Sequence, residues 1–294
     1  MKLRPSKTPR RLSKVTASVL AFFCVAILAA NHSSADSSPK PTKSAFIHSA
    51  KRKPKESFKN AFSRYMQKLD KAGLNKPTEA ISAHQAAKPV KELDLERIPE
   101  WDKVEDLVRF FREGRDTRFL YTDDRPDFAR RSSWYYPDDG CFARAALLVQ
   151  NFDKWKAPQL PAKIFIFGSL KVKTKNSPSG SVSWWYHVVP AIKVPGQKNR
   201  VFVFDPAIYA RGPLELKAWI KRMSPDLDKV RVSVCSPYTY TPNSDCYDAT
   251  PKTDDSARSD QLYYLDAEWE RVALLGRDPE KLLGDEPHWQ RRAH

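Results

Sequence analysis

Trp184-Trp185-Tyr186-His187-Val188-Val189-Pro190-Ala191-Ile192-Lys193-Val194, then Pro195-Gly196-Gln197-Lys198-Asn199-Arg200, then Val201-Phe202-Val203-Phe204-Asp205 is the stretch that decides the fold. Both flanks are rich in β-branched and aromatic residues, which favour strands. The Pro-Gly between them signals a turn, so the pair reads as an antiparallel hairpin. With the turn centred on Gly196, His187 and Asp205 fall opposite each other on one face, their Cβ atoms about 5 Å apart. An aspartate closing an apolar run is costly to bury without a partner, and His187 supplies one. By alternation Trp185 shares the face of His187 and is the better candidate for a cleft wall.

Working outward, Ile164–Phe167 and Val230–Val234 read as further strands. Trp101, Val104, Leu107, Val108 and Phe111 recur at helical spacing, as do Phe142, Ala145, Ala146 and Val149 in a helix from about Gly140 to Phe152. A short helix is expected over Leu214–Met223. Residues 113–137 read as irregular, and 261–275 as a strand or a strand running into a helix. Helices segregated around an antiparallel sheet make the class α+β, with the folded domain starting near Asp94 and spanning 92–294.

Cys141 stands at the start of one of these helices, in Pro137-Asp138-Asp139-Gly140-Cys141-Phe142-Ala143-Arg144-Ala145. Asp138 or Asp139 is the expected cap, which puts the thiol in the first turn. Unpaired backbone N–H groups and the positive end of the helix dipole favour a thiolate there. A thiol nucleophile needs a base. His32, His48 and His84 precede the domain and His288 and His294 lie in a polar tail, so His187 is the histidine on a core strand. An imidazole held by a carboxylate and facing a helix-terminal cysteine is the arrangement of a thiol acyltransferase. Arg144 reads as a structural ion-pair partner, and Asp138 and Asp139 as cap and turn.

The chain of 294 residues carries 51 Lys plus Arg against 35 Asp plus Glu. The excess is confined to the N-terminal third. Residues 1–35 hold six basic and no acidic side chains and 36–91 hold thirteen and four, leaving 32 and 31 in 92–294. The foldable part is nearly neutral, so it offers no electrostatic footprint for nucleic acid. Basic residues followed by the apolar run Val15–Ala30 and Ser33-Ser34-Ala35 read as a signal peptide over 1–35, and export to the periplasm or outside is expected. Cys24 leaves with it. Cys235 and Cys246 flank a polar, turn-rich stretch and are expected to pair in an oxidising compartment. That leaves Cys141 free. Residues 36–91 read as a basic linker and pro-segment, in which Phe58, Phe62, Tyr65 and Leu69 mark one amphipathic helix over 57–72, capped by Ser57 and Gly73. Alone, that helix must rest on something else.

Asp-Gly-Cys-Phe-Ala-Arg-Ala at 139–145, Trp-Tyr-His-Val at 185–188 and Phe-Asp-Pro-Ala at 204–207 resemble the three blocks of bacterial protein-glutaminases. The resemblance is clear over 137–223. It implies a secreted enzyme with a papain- and transglutaminase-like fold, whose nucleophile helix packs on an antiparallel sheet. It implies a Cys141-His187-Asp205 triad that deamidates glutamine side chains of proteins or peptides through a thioester, releasing ammonia. It also implies a pro-segment that covers the site, a surface for the lone helix to pack on. Phe142 stands where a tyrosine is expected and Ala146 where a histidine is common; these departures leave the triad intact and bear on substrate preference. Trp185 is the expected substrate contact and the Cys141 backbone N–H the expected oxyanion donor. A monomer without cofactor or metal is expected, its partners being proteins with exposed glutamine and its own pro-segment. The alternatives are a cysteine peptidase, a cell-wall amidase or a transglutaminase with the same triad, or a non-enzymatic secreted binding module.

Overall fold

In the computed structural model, which describes residues 50–71, 80–195, 200–251 and 254–290, the strand-rich stretch sits at the centre of one sheet. The elements run α1 (Phe58–Lys71), β1 (Lys88–Pro89), α2 (Val104–Asp116), β2 (Leu120–Thr122), β3 (Arg125–Arg130), α3 (Cys141–Lys154), β4 (Ala162–Lys173), β5 (Ser181–Lys193), β6 (Val201–Val203), β7 (Leu214–Glu215), α4 (Leu216–Met223), β8 (Arg231–Cys235), α5 (Asp254–Leu274) and α6 (Pro279–Leu283). Six strands form an antiparallel sheet in the order β1-β8-β4-β5-β6-β7. The class is α+β, and α3 packs on β5, the helix on an antiparallel sheet that the sequence implies. The signal segment with Cys24, His32 and His48, the linker over 36–49, Gly73, the turn at Gly196 and His294 all lie outside the described residues.

Several expectations are corrected. β5 and β6 pair with Ala191 opposite Val203, two residues out of register from a turn centred on Gly196. His187 and Asp205 are therefore diagonal neighbours rather than opposite; a two-residue slip preserves the face, so they still meet. The 113–137 region contains the hairpin β2–β3, whose polar sequence hides it because it is a two-stranded ribbon largely in solvent. Leu275 sits in a turn, and residues 261–274 lie in the helix α5 before it. Its buried stripe is Ala257, Gln261, Tyr264, Leu265, Glu268 and Val272, helical in period but interrupted by two polar residues. Gln261 donates to Ser133 Oγ at 2.6 Å, and Glu268 pairs with the equally buried Arg130 at 2.7 Å. Those partners make the burial tolerable.

The chain also joins the sheet before Asp94. β1 pairs with β8, and Lys51 forms an antiparallel bridge with Trp184. Arg52 N donates to Ser183 O at 3.0 Å and Trp185 N to Ala50 O at 3.3 Å, so residues 50–52 add a strand to β5. Backbone hydrogen bonds need no apolar pattern, which is why composition alone reads 50–55 as linker. Helix α1 forms as expected, with Ser57 Oγ accepting from Asn60 N. It lays Ala61, Tyr65 and Leu69 on the protein. Phe62 and Tyr65 meet Trp185 at ring distances of 5.4 and 4.9 Å, and His84 stacks on Phe62 at 4.3 Å. Each buried ring contributes roughly 1.5–3 kcal/mol.

Cys235 and Cys246 form the expected disulfide. Its loop is further tied by Lys163, buried on β4, whose Nζ donates to Thr239 O at 2.9 Å. Loss of water pushes that amine down to about 7.

Candidate active site

Cys141 is the first residue of α3 and is buried. The helix is capped by neither aspartate. Gly140 is the cap, in a left-handed conformation at φ +79°, with no side chain capping the first turn. The reason lies in packing: a Cβ on Gly140 would sit 2.6 Å from the ring of Tyr264. Asp139 instead accepts from Gly140 N at 2.8 Å, and Asp138 ion-pairs with Lys51 at 3.1 Å and Arg271 at 2.5 Å. Arg144 makes a different contact from the ion pair expected. Its Nη1 donates to the carbonyls of Ser133, Tyr136 and Asp139, fixing the loop that delivers the cysteine.

The structure brings Cys141, His187 and Asp205 together. His187 Nε2 lies 2.9 Å from Asp205 Oδ2, both groups being buried. Nδ1 has no partner in hydrogen-bond geometry, while Cys141 lies beside the ring and helps keep it charged. Holding Nε2 leaves Nδ1 as the nitrogen that serves the thiol. Burial disfavours the imidazolium, yet the charge and hydrogen bond of Asp205, with Cys141, override it and raise the ring to about 9. Burial likewise opposes the Asp205 carboxylate, but His187 and a 2.8 Å hydrogen bond from Trp219 Nε1 hold it below its ordinary value.

Two tryptophans position this pair. Trp219, from α4, anchors Asp205. Trp184, not Trp185, is the ring stacked on His187, at 4.9 Å and 16° between planes. Its Nε1 donates to Pro137 O and Asp138 O at 2.9 and 3.0 Å, tying β5 to the loop before Cys141. The pairing is irregular here: β4 passes from Phe167–Tyr186 to Leu170–Trp184, with two residues opposite Trp185 alone. Trp185 faces α1 instead. The flanking Pro and Asp carbonyls carry no sequence signal of these contacts.

The match to known proteins rests on the same residues. The family model Gln_deamidase_2, described as glutaminase, matches residues 107–223 and so contains the cysteine, the histidine, the aspartate and Trp219. Over residues 107–223 the chain is thus similar to the glutaminase family. Enzymes of that description cleave the C–N bond of a carboxamide. No curated protein matches this sequence. Among solved structures, the chain is similar to a crystal structure of pro-protein-glutaminase at 22% identity and a TM-score of 0.37, over 59% of this chain and 57% of the other. The NMR structure of protein-glutaminase from Chryseobacterium proteolyticum is 20% identical at a TM-score of 0.35, over 48% and 76%. A crystal structure of protein-glutaminase is 21% identical at 0.37, over 67% and 95%. This chain thus spans little more than half of the pro-protein-glutaminase.

Proposed function

We propose that this glutaminase deamidates glutamine side chains of exported or extracellular proteins. The observation that carries the reading is the buried His187, held by Asp205 through Nε2 with Nδ1 free beside Cys141. The Cys141 thiolate attacks the carboxamide carbon, and the oxyanion takes the Cys141 backbone N–H. The His187 imidazolium, kept protonated at neutral pH, gives its Nδ1 proton to the departing nitrogen, so ammonia leaves and a thioester remains. The neutral ring then takes a proton from water as that water attacks the thioester, releasing glutamate and restoring the thiolate–imidazolium pair. Trp185 is proposed as a wall of the substrate cleft.

The same reading explains why the site is closed. Cys141 is 3% and His187 2% exposed. Residues 50–71 add a strand to β5 two residues from His187, and Tyr65 of α1 lies within electrostatic reach of Cys141 and Asp139. These residues act as a pro-segment that blocks substrate until the chain is cut, and the disulfide fits an exported protein.

The test is ammonia release from a glutamine-bearing protein, with mass spectrometry of that protein and Cys141→Ala as control. A protease recognition sequence inserted between Lys71 and Ala80 lets the same molecule be assayed before and after cleavage. Ammonia with one carboxamide-to-carboxylate mass change per site, absent in the Cys141→Ala variant, supports deamidation. Cleaved peptides or cross-links without ammonia would reassign the triad to peptidase or transglutaminase chemistry. Activity should rise by about an order of magnitude or more on cleavage; equal activity before and after would end the pro-segment reading.

A further inference from the structure

Three polar groups beside Cys141 are buried without a hydrogen-bond partner: Asp139 Oδ2, Tyr186 OH and Tyr264 OH. The residues are 1%, 0% and 0% exposed. They come from three elements, the loop before α3, β5 and α5. The ring of Tyr264 lies against Gly140, between Asp139 and Cys141. Both phenols feel the charges of Asp139 and Cys141, which add to burial in holding them above their ordinary range. So the groups are close enough to interact through space, yet none bonds another. Buried polar atoms are nearly always paired, and three unpaired ones around a nucleophile mark a place for a ligand that supplies donors and an acceptor.

A carboxamide has two N–H donors on nitrogen and an acceptor oxygen. We propose that Asp139 Oδ2 is the acceptor that recognises the N–H of the substrate carboxamide, and that Tyr186 and Tyr264 line the same pocket. The inference rests on the deamidase reading and names the residue that selects glutamine. It has a second consequence. Burial raises the Asp139 carboxyl to about 7, so above that pH hydrolysis, which replaces the N–H donors by a carboxylate oxygen, turns a negative charge toward the charged carboxylate that held the substrate. Repulsion then favours release of the glutamate side chain and disfavours its rebinding. Asp139 is a specificity residue rather than a member of the acid–base pair, whose protons pass through His187. Tyr65 and Lys68 of α1 lie within electrostatic reach of Asp139.

Asp139→Asn tests this cleanly, because the amide oxygen still accepts from Gly140 N while Oδ2 becomes a donor. The protein carries the cleavable sequence and Cys141→Ala, and binding of matched glutaminyl and glutamyl peptides is measured after cleavage, with and without Asp139→Asn. Ammonia release is assayed in parallel with Cys141 intact. The expected result is a preference for the glutaminyl peptide that falls about tenfold or more in the variant, with the glutamyl peptide becoming the tighter inhibitor of turnover. Normal ammonia release together with an unchanged peptide preference would overturn the role of Asp139 and leave deamidation standing. No ammonia from the wild-type site would end the deamidase reading, and this inference with it.

Discussion

Replacing Asp205 by alanine should cut ammonia release by about 10²–10⁴-fold near neutral pH, the range that one acid–base group supplies. The loss has two parts. Nε2 of His187 and Nε1 of Trp219 both donate to Asp205 Oδ2, so alanine leaves two buried donors unpaired, at roughly 1–3 kcal/mol each. The ring also loses the carboxylate that raises it to about 9. Asp205→Asn separates the two effects, because its amide oxygen can accept both hydrogen bonds but carries no charge. The variant should keep much of its stability, while the alkaline limb of kcat/KM moves from about 9 toward the ordinary histidine range. The sign for stability follows from the same shifts. A His187 pKa raised on folding stabilises fully below the unfolded value and the gain is lost as pH rises through about 9; the lowered Asp205 stabilises above its unfolded value and loses this in acid. A pH–rate profile and a pH series of denaturant melts read both. An alkaline limb that stays put in Asp205→Asn would mean that His187 is not the titrating acid.

Gly140→Ala should be strongly destabilising. At φ +79° an alanine costs about 1–2 kcal/mol, and a methyl 2.6 Å from the Tyr264 ring adds overpacking of about 1–3 kcal/mol, so the midpoint of denaturant unfolding should fall by the equivalent of about 2–5 kcal/mol. Any molecules that remain folded should lose activity, because the cap of α3 aims the Cys141 thiol. Tyr264→Leu in the same chain should restore part of the stability by relieving the contact but not the backbone term. A Gly140→Ala protein as stable as the parent would show that the elbow before Cys141 is looser than its geometry indicates.

The sheet and the three converging residues were legible because the signals are local: β-branched runs, a Pro-Gly turn, a cysteine at a helix start. What escaped depends on contacts between distant segments. The two-residue register difference preserves the face, so the meeting of His187 and Asp205 survives an error in the turn centre. The choice of Trp185 beside His187 does not survive: strict alternation selects it, whereas the ring that stacks on His187 is Trp184, beside an irregular step in the β4–β5 pairing. Helix α5 was masked by Gln261 and Glu268, polar residues that are buried only because Ser133 and Arg130 meet them. Asp139 looked like a cap since aspartate usually is one before a helix; Tyr264, more than a hundred residues away, decides otherwise.

If residues 50–71 are the pro-segment proposed above, they share a polypeptide with the site they cover, and this fixes how the block responds to a single cut. Tethered, the covering segment is present at an effective concentration on the order of millimolar, whatever the amount of protein. Severed from Ala80, it competes at its true concentration, which in a dilute exported protein is smaller by orders of magnitude. Even micromolar affinity for the groove would then be too weak to keep it in place. On that proposal activation requires no rearrangement of Cys141, His187 or Asp205: dilution after one broken peptide bond is sufficient, and the same enzyme concentrated in a confined space would be partly silenced by its own released fragment.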